Sequence, residues 1–191
     1  MQYILIIIAA IFVNNIVLTQ FLGICPFLGV SNKVKTALGM GAAVIFVMVL
    51  STIVTWLLYT YILIGFGIEF MQTISYILVI AALVQMVEFI LKKTSPSLYQ
   101  ALGVYLPLIT TNCTILGVAI IVIQKHYDLL TSVIFAVGMS CGFTLALIIF
   151  AGIREQMDKV TIPKGLNGIP IALITAGILA LAFMGFSGMI R

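Results

Sequence analysis

The sequence predicts an all-α integral membrane protein, in which six transmembrane helices form two inverted three-helix repeats and helices 1 and 4 are interrupted. The first reason is composition, because 63% of the 191 residues are hydrophobic and only 7% are charged. In soluble domains roughly a quarter of the residues are charged. The second reason is a series of long uncharged intervals, and the third is a short motif that occurs twice. The same composition excludes a water-soluble fold, a disordered chain and a disulfide scaffold.

The charged residues separate six apolar intervals, and a spanning helix needs about 20 apolar residues. Within these intervals the sequence predicts helices near residues 3–24, 37–63, 72–91, 101–123, 129–152 and 169–189. The connections between them are short. Residues 1–191 are therefore predicted to be a single polytopic membrane domain.

The basic residues are distributed unequally between the two ends of these helices. Seven of them fall in the connections after helices 1, 3 and 5, namely Lys33, Lys35, Lys92, Lys93, Arg154, Lys159 and Lys164. The other side carries only Lys125 and the terminal Arg191. Since basic loops stay in the cytoplasm, both termini are predicted to lie outside it. The net charge of +4 follows from this bias, so no nucleic-acid partner is predicted.

An internal repeat divides the chain into residues of about 1–93 and 94–191. Residues 25–30 (CPFLGV) return as 113–118 (CTILGV), and residues 37–41 (ALGMG) resemble 136–140 (AVGMS). The two repeated segments occur in the same order in each half, the first late in the first helix and the second early in the second helix. Because three helices are an odd number, the halves must be inverted relative to each other.

Proline and polar residues predict interruptions at corresponding places of helices 1 and 4. In helix 1 the interruption is residues 23–26 (GICP), where Pro26 disfavours helix at the preceding Cys25. In helix 4, Pro107 and the polar residues 110–113 (TTNC) weaken the helix in the same way. Backbone groups left unpaired in hydrocarbon cost several kcal/mol each. Inverted-repeat membrane proteins place their functional sites at such interruptions.

Cys25 and Cys113 hold equivalent positions in the two halves, each beside a predicted interruption. A thiolate in an apolar site needs a nearby positive charge or a metal, and neither apolar stretch supplies a basic residue. An iron–sulfur cluster satisfies this need, with the remaining ligands of a four-Cys set coming from a homodimer or a sister subunit. Simple packing is the alternative interpretation. For Cys141, whose counterpart in the first half is Ala42, packing is the prediction.

Polar residues cluster around the same interruptions. They are Asn14, Asn15, Thr110, Thr111 and Asn112. We expect them to cap broken helices and bridge neighbouring ones. The functional alternatives are hydrogen bonds to cluster ligands or a path for a partly dehydrated cation.

These motifs resemble a known family. The matching segments are residues 13–15 (VNN), 21–31 (FLGICPFLGVS), 93–96 (KTSP), 106–113 (LPLITTNC), 153–155 (IRE) and 184–188 (MGFSG). They are similar to the family that holds the A subunit of the Rnf complex and the E subunit of the sodium-pumping NADH:quinone oxidoreductase (Nqr). The similarity runs from end to end, and the Rnf version fits better.

The resemblance implies a subunit of an ion-translocating ferredoxin:NAD oxidoreductase in the bacterial cytoplasmic membrane. It implies a [2Fe–2S] cluster shared with a homologous E subunit of opposite topology, for which Cys25 and Cys113 would be this chain's ligands. It also implies the B, C, D and G subunits as further partners, and coupling to Na⁺ or H⁺. From the residues alone, an inverted-repeat secondary transporter or ion-conducting subunit with structural cysteines is the alternative.

Overall fold

The computed structural model describes residues 6–94, 106–160, 165 and 168–187, and every regular element in this part of the chain is helical. In order, the helices are α1 (residues 6–13), α2 (Ile16–Gln20), α3 (Ile24–Gly29), α4 (Val34–Phe66), α5 (Gln72–Thr94), α6 (Leu106–Thr110), α7 (Cys113–Gln124), α8 (Leu129–Met157) and α9 (Ile169–Ser187). π-Helical turns occupy Ala9–Val13 in α1 and Tyr59–Leu63 in α4. The all-α prediction is confirmed for these residues.

Four segments of the described chain are long and apolar enough to cross a membrane. They are Val34–Phe66, Glu69–Ile90, Pro107–Gln124 and Leu129–Met157, and they coincide with predicted helices 2 to 5. Predicted helix 6 falls on a shorter apolar helix, Ile169–Gly185. Predicted helix 1, residues 3–24, covers the two short helices α1 and α2 and ends at Ile24, the first residue of α3. Its residues 3–5 lie outside the described chain, as do residues 101–105 of predicted helix 4 and 188–189 of predicted helix 6. The first and last spans therefore stay predictions.

The predicted end of helix 5 at residue 152 is wrong, because α8 continues to Met157. Arg154 consequently lies in the last turn of the helix rather than in a loop. Lys92 and Lys93 likewise occupy the last turn of α5. Basic side chains in a final turn interact favourably with the helix dipole, so a charged residue does not mark the point at which a helix ends.

The helices pack around α4 and α8, which share the most extensive contact of the described elements. Helix α1 packs on α8, and α7 packs on α4. Helix α9 lies against α1 and α2, whereas α5 lies against α6 and α7. The contacts named here correspond between the two halves of the chain when α1–α3 are matched with α6–α7, α4 with α8, and α5 with α9.

Glycines of α8 allow the first helix to approach closely. A Cβ atom on Gly142 would lie 3.1 Å from the carbonyl oxygen of Ala10, and one on Gly138 would lie 3.1 Å from the Ala10 Cβ. Small residues let helix backbones approach in this way in membrane proteins. The interrupted first segment is thus held against the long helix α8.

Candidate functional site

The chain leaves the helical path between α2 and α3. Phe21 adopts a left-handed conformation (φ 55°) and ends α2, and Gly23 (φ 83°) precedes the first residue of α3. Of the predicted interruption at residues 23–26, the structure has the break at Gly23, whereas Cys25 and Pro26 lie inside the first turn of α3. Proline is tolerated there, since the N–H groups of a first helical turn have no intrahelical partner to lose.

A second break separates α6 from α7. Asn112 caps α7, and its Oδ1 accepts a hydrogen bond from the Thr114 N–H at 3.0 Å. Thr110 is the last residue of α6. The exposed Thr111 donates its hydroxyl to the carbonyl of Pro107 at 2.8 Å. Cys113 is therefore the first residue of a helix, as Cys25 is the second residue of α3.

The two breaks meet in space. The Gly23 N–H donates a hydrogen bond to the Cys113 Sγ at 2.9 Å, across 90 positions of the sequence. A Cβ on the buried Gly23 would collide with Thr114 Oγ1 and would lie 2.9 Å from a ring carbon of Phe143. Only glycine therefore fits at this point, for steric reasons and because of its positive φ. The cysteine of one repeat contacts the segment that carries the cysteine of the other.

The three cysteines have different surroundings, and all are free thiols. Cys25 is exposed on the surface of the chain, and Cys113 is half-buried. Cys141 is half-buried in the middle of α8.

Two buried polar groups beside Cys113 have no hydrogen-bond partner among the described residues. They are the Asn112 Nδ2 and the Thr114 Oγ1. Both side chains are almost completely buried, with 3% and 0% of their surface exposed. A buried donor without an acceptor is costly, so the corner formed by Gly23, Asn112 and Cys113 has unused capacity to donate to a further group.

This donor set fits half of a four-thiolate iron–sulfur site. Two thiols lie at the starts of half-helices whose ends touch, and a backbone N–H already points at one sulfur. Within residues 6–94, 106–160, 165 and 168–187, no three His, Cys, Asp or Glu side chains come together as metal ligands. A cluster held by four cysteines would thus need two ligands from another chain, and the exposed Cys25 is accessible to one.

Asn14 and Asn15 lie elsewhere. Asn15 is buried and caps α2, because its Oδ1 accepts from the Val17 N–H at 3.2 Å. Its Nδ2 donates to the Gly142 carbonyl of α8 at 2.8 Å. Asn14 is exposed and lines a pocket of about 270 Å³ together with Gln20, Gln124 and Lys125. The structure therefore brings Asn112 to the cysteine corner, whereas Asn15 bonds to α8 and Asn14 lines the pocket.

Sequence reasoning missed the parts of this site that depend on distant residues. The contact of Gly23 with Thr114 and Phe143 has no local signal, and neither has the reach of Arg154 to Ser31. The two caps did have one, since asparagine directly before an apolar helical run is a preferred N-cap.

Comparison with known proteins gives one family. Residues 3–190 match the family model described as "Rnf-Nqr subunit, membrane protein". The chain is 60% identical to the A subunit of the Na(+)-translocating ferredoxin:NAD(+) oxidoreductase complex of Acetobacterium woodii, over 99% of this chain and 98% of the relative.

Two further relatives carry a more general name, the A subunit of an ion-translocating oxidoreductase complex. The protein of Syntrophotalea carbinolica is 58% identical over 97% of this chain and 96% of its own length. That of Alcanivorax borkumensis is 52% identical over 100% of this chain and 98% of its own length. The similarity thus extends over essentially the entire length of all three relatives.

Proposed function

The chain belongs to the Rnf-Nqr family of membrane subunits, and from this membership we propose that it is a subunit of an ion-translocating ferredoxin–NAD oxidoreductase. Its task is to carry electrons through the membrane, coupled to the movement of Na⁺ or H⁺. The sites for NAD and flavin belong to other subunits. Cys25 and Cys113 hold two of the four ligand positions of a [2Fe–2S] cluster shared with a homologous sister subunit.

One structural observation carries the assignment of the two cysteines to one site, the hydrogen bond from the Gly23 N–H to the Cys113 Sγ. It links the two interruptions that the repeat relates, and it leaves Cys25 only two residues from the contact. A backbone donor lowers the energy of a thiolate and adjusts the reduction potential of a cluster that the thiolate ligates. When bound, such a cluster accepts and returns one electron at a time.

The polar groups at this corner hold the two thiols in place and stabilise negative charge on their sulfur atoms. Asn112 fixes the start of α7 through its cap, and its free Nδ2 adds a donor close to Cys113. Phe143 and Thr114 close the inner side around Gly23 and keep water away from it. The outer side, at the exposed Cys25, is the side at which the sister subunit docks.

The partners follow from the family. The sister is the homologous E subunit with opposite topology, and the B, C, D and G subunits complete the complex. The chain itself has six spans in two inverted halves. The symmetric contact scheme around α4 and α8 supports two halves of like fold.

The competing function is that of a secondary transporter or ion-conducting subunit with structural cysteines. The pocket lined by Asn14, Gln20 and Gln124 is the observation that favours it, because polar groups in an apolar chain can line an ion path. The two functions differ in what the cysteines do. An electron carrier needs Cys25 for electron transfer, whereas a transporter does not.

A vesicle assay separates the two functions. In inverted membrane vesicles containing the Cys25→Ser complex, we expect ferredoxin-dependent NAD⁺ reduction and ion uptake to fall together, by at least about tenfold. Reduction is followed by absorbance, and uptake by radioactive Na⁺ and by a pH-sensitive dye. Cys141→Ser is the matched control and keeps both activities. Loss of ion uptake with intact electron transfer would support the transporter, and unchanged activities would contradict a role for Cys25.

The protein lies in the bacterial cytoplasmic membrane with both termini outside the cytoplasm, as its basic loops require. Alkaline phosphatase fused after Arg191 is therefore expected to be active, because this enzyme folds only outside the cytoplasm. The same reporter fused after Lys159 should be inactive. A reversed pair of activities would overturn the orientation, and two active fusions would overturn the sixth span.

A further inference from the structure

Arg154 reaches from α8 to the end of the half-helix that carries Cys25. Its Nη1 donates to the Leu28 carbonyl at 2.7 Å and to the Ser31 Oγ at 2.8 Å. Ser31 is completely buried. These contacts join positions 126 and 123 residues apart in the sequence, so a single side chain fastens the first segment of the protein to the fifth predicted span.

The aromatic neighbours hold the guanidinium in place. Its central carbon lies 5.9 Å from the centre of the Phe150 ring, within the range of a cation–π contact. The Phe150 ring stacks at 4.3 Å on Phe27, which belongs to α3. Both aromatic side chains are buried. Arg154 and Phe150 lie one turn apart on α8, and both therefore contact the short helix α3.

Helix α3 needs such an anchor. It has only six residues, Ile24–Gly29, and helices this short do not persist without tertiary support. Its last carbonyls have no partner within the helix, which is costly in an apolar environment. A cation at a helix C-terminus also interacts favourably with the dipole. Arg154 meets both requirements at one end, while the start of α3 adjoins Gly23 and its bond to Cys113.

We propose that Arg154 is a positioning residue for Cys25. It fixes the C-terminal end of α3 and thereby sets where the thiol near the N-terminal end is presented to the shared cluster. The proposal rests on the function proposed above, in which Cys25 is a ligand. Arginine is suited to the task because its planar, fixed fork donates in defined directions, which the flexible ammonium of lysine does not.

The test uses the complete purified complex with Arg154→Gln, Arg154→Lys and Ser31→Ala. Lys159→Gln is the matched control, since it removes an exposed positive charge from the same end of α8 without touching α3. Two measurements are made on each complex. Hydrogen–deuterium exchange reports the order of residues 24–31, and EPR with a redox titration reports the reduced cluster.

In Arg154→Gln, amide exchange in residues 24–31 is expected to rise about tenfold, with residues 113–124 unchanged. The EPR spectrum of one [2Fe–2S] signal shifts or broadens and its midpoint potential moves, while the signals of the other subunits stay the same. Arg154→Lys restores part of the spectrum, and Ser31→Ala changes it in the same direction by less. Lys159→Gln equals the wild type in both measurements.

A wild-type spectrum and potential in the assembled Arg154→Gln complex would overturn the proposal, whatever its exchange. If the Arg154→Gln complex fails to assemble, Ser31→Ala provides the test, because it removes only one acceptor of Arg154. An unchanged spectrum and unchanged exchange in Ser31→Ala would then overturn the proposal. A failure of the underlying function is recognised separately. In that case Cys25→Ser keeps every cluster signal, and exchange in residues 24–31 alone decides whether Arg154 holds α3.

Discussion

Replacing Cys113 by serine is expected to remove one [2Fe–2S] EPR signal from the assembled complex, and replacing Cys25 is expected to remove the same signal. Iron–sulfur clusters require thiolates, and a serine hydroxyl is a hard, protonated ligand at neutral pH. In each variant we expect at least about a tenfold loss of this signal and the loss of the two iron atoms of this cluster, while the iron of the other subunits is retained. The measurement is EPR with iron analysis on complexes purified without oxygen.

The controls for this prediction lie in the same chain. Cys141→Ser should keep the full signal, because this thiol lies inside α8 rather than at the start of a half-helix, and its counterpart in the first half is Ala42. The fold should survive in Cys113→Ser, since a serine Oγ can accept the Gly23 N–H in place of sulfur. If both single variants retained iron and spectrum, the assignment of the two ligands would be wrong.

The pair of cysteines could be selected from the sequence because the repeat carries the information. A shared CxxLGV motif requires no knowledge of distant contacts, and apolar length suffices to place α4, α5, α7 and α8 in their intervals. The N-caps at Asn15 and Asn112 could also be predicted from the sequence, since an N-cap depends on a few consecutive residues.

The exact break points were not predictable in this way. Proline marks a residue that lacks an N–H, and this is compatible both with a break and with the first turn after a break. Pro26 is the second case, because the turn at Phe21 and Gly23 precedes it. Phe21 shows why, since nothing local favours a left-handed conformation for a phenylalanine. The surrounding fold must impose it.

Arg154 illustrates a second limit of sequence reasoning. In the charge count it was treated as a loop residue, yet it lies in a helix and bonds to residues more than 120 positions earlier. Charge bias is a sum over a loop and contains no pairing information. The hydrogen-bond partners of an individual basic residue such as Arg154 can therefore be identified only from the packing of α3 against α8.

Gly23→Ala is expected to destabilise the protein strongly and to abolish the signal of the shared cluster. The added Cβ must adopt a positive φ, which costs about 1–2 kcal/mol, and it must displace Thr114 Oγ1 and the Phe143 ring, which costs about 1–3 kcal/mol. The total of about 2–5 kcal/mol would lower the thermal midpoint by roughly 10 °C for a chain of this size. The midpoint of thermal unfolding and the cluster signal of the complex measure the two effects.

Gly29→Ala is the matched control within the same half-helix. Its Cβ would meet only the terminal Cδ1 of Leu108 at 3.2 Å, a flexible end that can move, and alanine is favoured over glycine in helices by about 0.5–1 kcal/mol. Equal behaviour of the two variants would contradict the close meeting of the interruptions. The double variant Gly23→Ala with Thr114→Ala separates the causes. Because Thr114 Oγ1 has no partner to lose among the described residues, its removal should recover part of the steric cost of about 1–3 kcal/mol, while the Phe143 ring, 2.9 Å from the added Cβ, must still move. The cost of the left-handed backbone remains, since no neighbour can relieve it.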